Sequence, residues 1–117
     1  MFKHFTLDEF ECGCCSKNEI KEIFVEMLDE AREMAGVPFK VNSGYRCKRH
    51  NDLINGAPNS EHVHGLAADI GVIDSHTRYI IITALLKAGF TRIGVAKTFV
   101  HAGLGSEGHP EEVVWIY

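Results

Sequence analysis

The sequence predicts an α+β fold, a mainly antiparallel sheet with two principal helices packed on it. Three observations carry that expectation. Apolar residues recur at helical spacing over roughly 17–35 and 75–88, short alternating or apolar runs read as strands between and after them, and no internal repeat breaks the order. Two helices on such a sheet is the simplest way to bury these faces. Residues 1–117 are one domain's worth, enough for a single core but not two.

Each element has its own signal. Thr6-Leu7-Asp8-Glu9 places a glutamate three residues after an N-cap threonine, a capping box for a short helix. Ser16 and Glu19 repeat it and open the strongest helix, roughly 17–35, with Ile20, Phe24, Met27, Leu28, Ala31 and Ala35 on its apolar face. Gly36 and Pro38 stop that helix. Residues 39–43 alternate like a strand. Asn51, Asn55, Gly56, Pro58 and Asn59 make 50–61 mostly loop, with a helical turn at 52–54. A strand is expected over 67–72. The second helix, roughly 75–88, carries Tyr79, Ile82, Leu85 and Leu86 and ends at Gly89. Strands over 91–96 and 98–103 follow, then a loop at 103–110, and 112–117 closes the chain as an antiparallel strand.

Composition narrows the function. The net charge is −4 and the basic residues are scattered, so nucleic-acid binding has no electrostatic footprint. No apolar run approaches the roughly 20 residues of a membrane span. The N-terminus lacks the apolar core and cleavage site of a secretory signal, which predicts a protein left in the cytoplasm unless another device releases it.

The run from Ser60 to Asp69 is the chemical centre of the chain. His62, Asp69 and the distant His101 offer two imidazoles and one carboxylate, the ligand set of a catalytic zinc site with water in the fourth position. Gly65, Ala67 and Ala68 let the backbone pass close to a crowded centre. Strand alternation puts His101 on one face with Phe99 and Gly103, with Val100 and Ala102 on the other. Asp69 lies in an otherwise apolar strand, where a carboxylate is seldom buried unless paired or metal-bound. Singly, each residue has a plainer reading: a surface histidine, an acceptor of loop amides, a donor to a carbonyl. As a triplet they point to a metal site.

Ser43-Gly44-Tyr45-Arg46, Asn51, the loop Gly56-Ala57-Pro58-Asn59-Ser60, the run His62…Gly65…Ala67…Asp69 and Gly94…Thr98-Phe99-Val100-His101 also resemble a known family. They are similar to the zinc D-Ala-D-Ala carboxypeptidases, the M15 peptidases, particularly their small phage and prophage members; Trp115-Ile116-Tyr117 is like their ending. The resemblance covers nearly the whole chain. It implies the hedgehog/DD-peptidase fold and one zinc held by His62, Asp69 and His101. It further implies hydrolysis of peptidoglycan stem peptides, as a carboxypeptidase or as an endopeptidase of the endolysin type. It assigns substrate contact to Arg46, the pocket wall to Ser60 and a substrate-binding place to Ser43. Arg46 is also a catalytic candidate, because its planar fork suits a developing oxyanion as well as a substrate carboxylate. Tyr45 reads as core packing.

The chain departs from the family where a proton-handling residue is expected. Many relatives read His-x-Asp at the third ligand, and others place Glu or His three residues before it; here those positions are Gly103 and Thr98. The candidates left are His64, which shares a face with His62 if that stretch is extended, and the loop residues Glu107, His109, Glu111 and Glu112. Gly103 keeps open a second function, a metal-binding module without hydrolytic activity, as in the hedgehog signalling domain. Cys12, Cys14, Cys15 and Cys47 read as reduced structural thiols, a disulfide from the cluster to Cys47, or a second metal site.

Overall fold

The computed structural model describes residues 2–106 and 108–117. A 3₁₀ turn (Leu7–Phe10) precedes α1 (Glu22–Ala35), β1 (Lys40–Ser43), α2 (Lys48–Leu53), β2 (Ala67–Gly71), α3 (Ser75–Ala88), β3 (Arg92–Val95), β4 (Phe99–Gly103) and β5 (Val113–Ile116). The five strands form one sheet in the order β1-β2-β4-β3-β5. Every pairing is antiparallel except β3 with β5. The α+β expectation holds.

One face of the sheet is covered by α1 and α3. Phe24, Val25, Leu28 and Ala31 of α1 and Ile81, Ala84 and Leu85 of α3 pack on Ala68, Ile70, Ile93, Val100 and Ala102 of the strands. Phe10, Phe24 and Phe90 meet edge to face, with ring centroids 6.4 and 5.6 Å apart, an arrangement that aromatic quadrupoles favour. Because side chains alternate along a strand, filling this face with Ala68, Ile70, Val100 and Ala102 commits Asp69 and His101 to the opposite face.

The structure differs from the sequence expectations in four places. The first long helix begins at Glu22, not near residue 17. Ser16 is left-handed (φ 58°), so it cannot cap a helix. Lys21 N–H donates to Gly65 O at 2.9 Å, and the Asn18 amide donates to Leu7 O at 2.7 Å, which lays 16–21 against the turn before β2. A Cβ on Gly65, itself at φ 71°, would fall inside contact distance of Glu19 O, so that approach requires glycine.

The helical turn expected at 52–54 is instead the helix Lys48–Leu53, started by the Cys47 sulfur accepting His50 N–H. In α3, Tyr79 and Leu86 are exposed, whereas Ile81, Ala84 and Leu85 are buried. Its ends are as expected: Asp74 accepts Thr77 N–H at 2.8 Å, and Gly89 closes it at φ 106°. The last strand is parallel to β3, not antiparallel. β4 ends with Gly103 beside Arg92, where β3 begins, so a strand entered from a short loop at that end runs in the direction of β3. Among the described residues no helix is long and apolar enough to cross a membrane.

Candidate metal centre

Asp69 and His101 are register partners on β2 and β4, so pairing of the strands alone brings them together. His62 arrives on a tight turn rather than an extended segment. Val63 N–H bonds Ser60 O, His64 N–H bonds Glu61 O and Gly65 N–H bonds His62 O. Ser60 Oγ accepts His62 N–H at 3.2 Å, and Arg46 N–H anchors His62 O at 3.1 Å.

The three side chains converge. Asp69 Oδ1 lies 3.3 Å from His62 Nε2 and 3.0 Å from His101 Nδ1, and one ligand atom from each residue lies within 4.8 Å of the others. All three are buried. His62 Nδ1 donates to Gly44 O at 2.7 Å, and His101 Nε2 donates to Glu61 Oε1. Each imidazole therefore has its outer nitrogen held by the protein and its inner nitrogen turned to Asp69, the arrangement that orients histidine ligands around a metal. Burial works to raise the Asp69 carboxyl, but hydrogen bonds from His101 and His62 outweigh it and hold the group well below the carboxylate range. Burial likewise disfavours a charged His101, and bonds to Asp69 and Glu61 outweigh it, raising the imidazole. Positive charge is thus stabilised between the two carboxylates, and the donor set and its geometry fit a divalent metal such as zinc.

Glu61 is the residue the sequence reading missed. It is 3% exposed; besides His101, its Oε2 accepts Arg92 Nε at 3.1 Å and Gly105 N–H at 2.8 Å. Burial raises its carboxyl, and His101 and Arg92 together bring it below its ordinary value. A Cβ on Gly103 would collide with this carboxylate. The glycine that looked like a loss is the space Glu61 fills. A strand glycine facing a ligand histidine was the available signal, since such a glycine marks close approach of another group.

An open cleft of about 730 Å³ borders the cluster, lined among others by Arg46, Ser60, Arg92, Phe99, Trp115 and Tyr117. Arg46 reaches Asp69 Oδ2 at 3.4 Å and Asn51 Oδ1 at 3.2 Å, and its Nε donates to Ser43 Oγ at 3.3 Å. Ser43 thus braces Arg46, which lines the cleft. Tyr45 is buried, as expected, with its hydroxyl donating to Glu19 at 3.2 Å. Trp115 lies against His101 (5.2 Å between ring centroids) and under the Arg92 guanidinium (5.1 Å). It reaches that position because Gly94 has no Cβ, which would stand 2.8 Å from the indole.

The predicted acid/base candidates are dispersed. His64 does not share a face with His62, because the stretch is turned; its Nε2 meets Asn59 Oδ1 at 2.9 Å outside the cluster. His109 borders the cleft, with its ring nitrogens engaged by Ser106 and Asn59 O. Glu111 and Glu112 are exposed and away from the cleft, and Glu107 lies outside the described residues. Cys12, Cys14, Cys15 and Cys47 gather elsewhere as free thiols, one sulfur from each within 4.8 Å of the others.

A family model described as Peptidase M15 matches residues 3–103. No curated protein matches the chain.

Proposed function

This chain belongs to the peptidase M15 family, and on that premise we propose that it is a zinc-dependent metallopeptidase acting on peptidoglycan stem peptides. The observation that supports this reading most is the convergence of two pre-oriented imidazoles and one carboxylate at the edge of an open cleft of about 730 Å³. In this reading His62 Nε2, Asp69 Oδ1 and His101 Nδ1 hold the metal. A bound zinc supplies a Lewis acid for the scissile carbonyl and lowers the pKa of the attacking water to about 7.

The remaining work falls to the chain's own groups. Arg46, braced by Ser43 and Asn51, presents its guanidinium at the cleft, where it binds a substrate carboxylate or the charge developing on the carbonyl oxygen. Ser60 and Trp115 line the same cleft. Glu61 is a positioning residue: it fixes the His101 ring and its tautomer, and it supplies beside His101 the carboxylate that position 103 does not. A phage lysis setting would bring the chain to such a cell-wall substrate.

A second reading, a metal-binding module without hydrolysis, is favoured by one observation. His109, the predicted acid/base candidate that borders the cleft, has both ring nitrogens engaged. Zinc-loaded protein incubated with bacterial peptidoglycan separates the two. New amino termini are expected; stoichiometric zinc with no product from any peptidoglycan type would leave only the second reading.

A further inference from the structure

Cys12, Cys14, Cys15 and Cys47 take no part in the cleft chemistry, yet they are assembled with some care. Ser16 N–H bonds Cys12 O at 3.1 Å and Cys12 N–H bonds Lys17 O at 2.7 Å, closing residues 12–17 into a knuckle that turns three sulfurs to one side. Left-handed Ser16 completes the turn. The fourth sulfur comes from the N-cap of α2, thirty-three residues after Cys14. Two backbone amides point at the sulfurs: Cys47 N–H at Cys12 Sγ and His50 N–H at Cys47 Sγ, both 3.4 Å. Amides directed at sulfur stabilise thiolate over thiol, as they do around metal–thiolate centres.

We propose that these four cysteines form a second, thiolate metal site that takes one zinc-class divalent ion. Four sulfurs bound to zinc at about 2.3 Å in a tetrahedron lie about 3.8 Å apart. Here Cys12 and Cys14 sulfurs are 3.7 Å apart and those of Cys14 and Cys47 are 3.5 Å apart, with every pair inside 4.8 Å. Four soft donors at tetrahedral spacing select zinc over oxygen-seeking cations such as magnesium or calcium. A four-thiolate zinc centre carries a net charge of −2, and the surrounding cavity is lined by Lys17, Lys48 and Arg49. Binding forms four metal–sulfur bonds, breaks the S–H bond of each thiol not already ionised and releases that proton to solvent, with no change of oxidation state.

The ion would clamp the N-terminal segment to the wall of the cleft. Tyr45 N–H already bonds Phe10 O at 2.8 Å, and a Cβ on Gly44 would come within 2.7 Å of the Phe10 backbone. The clamped segment 43–47 carries the Gly44 carbonyl that orients His62 and the Arg46 side chain.

The test uses the full chain, reduced and stripped by chelator, titrated with Co²⁺ without oxygen. Two equivalents are expected, of which one shows the sulfur-to-cobalt charge transfer and strong visible bands of a tetrahedral thiolate centre. Zn²⁺ should bleach them. In His62→Ala one equivalent should remain, the thiolate one; Cys14→Ser should lose those bands alone. Absence of thiolate bands from the reduced wild-type chain, which needs no variant to fold, overturns the proposal. So does a Cys14–Cys47 disulfide that forms in place of metal uptake under reducing conditions. Activity is not read, so failure here leaves the peptidase reading untouched, and failure there leaves this one.

Discussion

Asp69 and His101 sit on neighbouring strands whose other face is closed by α1 and α3, so the hydrophobic core places them before any ion arrives. The four cysteines sit on a six-residue knuckle and a helix cap, Cys14 and Cys15 are exposed, and only Cys12 of the four is buried. The same task, converging donor atoms, is thus done by strand register in one region and by loop closure in the other. Strands hold a site stiffly at the expense of burying charge, which must then be paired: His62, His101, Arg46 and Arg92 face Asp69 and Glu61. Loops leave the donors near water, with less to pair and less to hold them.

The largest expected effects come from breaking the strand-borne cluster. Asp69→Ala should remove one metal equivalent and lower kcat/KM on peptidoglycan by about 10³-fold or more, the rate equivalent of about 4 kcal/mol. The second, thiolate equivalent should stay. Metal analysis beside a product assay checks both, and loss of both equivalents from a folded variant would show that the two regions are not independent.

Glu61 and Gly103 give a sharper test, because one fills the space the other leaves. Gly103→Asp alone should destabilise by about 2–3 kcal/mol, since the new side chain meets a buried carboxylate that is itself held by three partners. Glu61→Ala alone should cost about 3 kcal/mol by leaving His101, Arg92 and the Gly105 amide without their acceptor. In the double variant the aspartate has room and supplies a charge near His101, so the costs should fall short of additive by more than about 1 kcal/mol. Glu61→Gln, which keeps the shape, should weaken metal binding about 10–100-fold. Denaturant unfolding and metal titration measure these, and simple additivity would remove Glu61 from the role argued for it.

That pair also shows what a sequence displays and what it hides. Asp69 and His101 were legible because alternation is local: a polar residue in an apolar strand announces itself within five residues. The strand and helix bounds of β2, α3, β3 and β4 follow the same local rules and agree to within a residue or two. Glu61 was not legible because its neighbours in space, Arg92, His101 and Gly105, lie 31 to 44 residues away. Nothing in its own turn sets it apart from any other charged residue. The late start of α1 was hidden for a related reason: a local capping signal at Ser16 lost to the contact of Glu19 and Lys21 with Gly65. The direction of β5 depended on where β4 ends, which no periodicity encodes.

Removing metal from the loop-borne cluster should matter less and more locally. Chelation of His101→Ala, in which the thiolate site alone would remain, should raise amide exchange in residues 10–17 and 43–49 while α1, α3 and β2 keep their protection. The sheet and its helices share a core that includes none of the cysteines. Exchange rising uniformly across the chain would mean that the knuckle, and not the strand-borne core, holds up the whole fold.

The smallest effect belongs to a third kind of charged group, one at the protein surface. Hydrogen bonds from Lys3 and then His4 hold the Glu33 carboxyl down to about 2. A folded value below the unfolded one means that Glu33 stabilises the fold above about pH 4.5 and that this contribution fades as pH falls towards 2. The Lys3 and Glu33 side chains are 68% and 54% exposed, so salt screens the pair and its worth is slight. Denaturant midpoints of Glu33→Gln and the parent should therefore differ slightly at pH 6 in low salt, and coincide at pH 2 or in high salt. The contrast with Glu61 is the point of the measurement: the same residue type, bonded by the same kinds of partner, should lose its effect in salt at the surface and keep it in the buried cluster. A Glu33 contribution that survived high salt would make burial a poor account of why the strand-borne site is rigid.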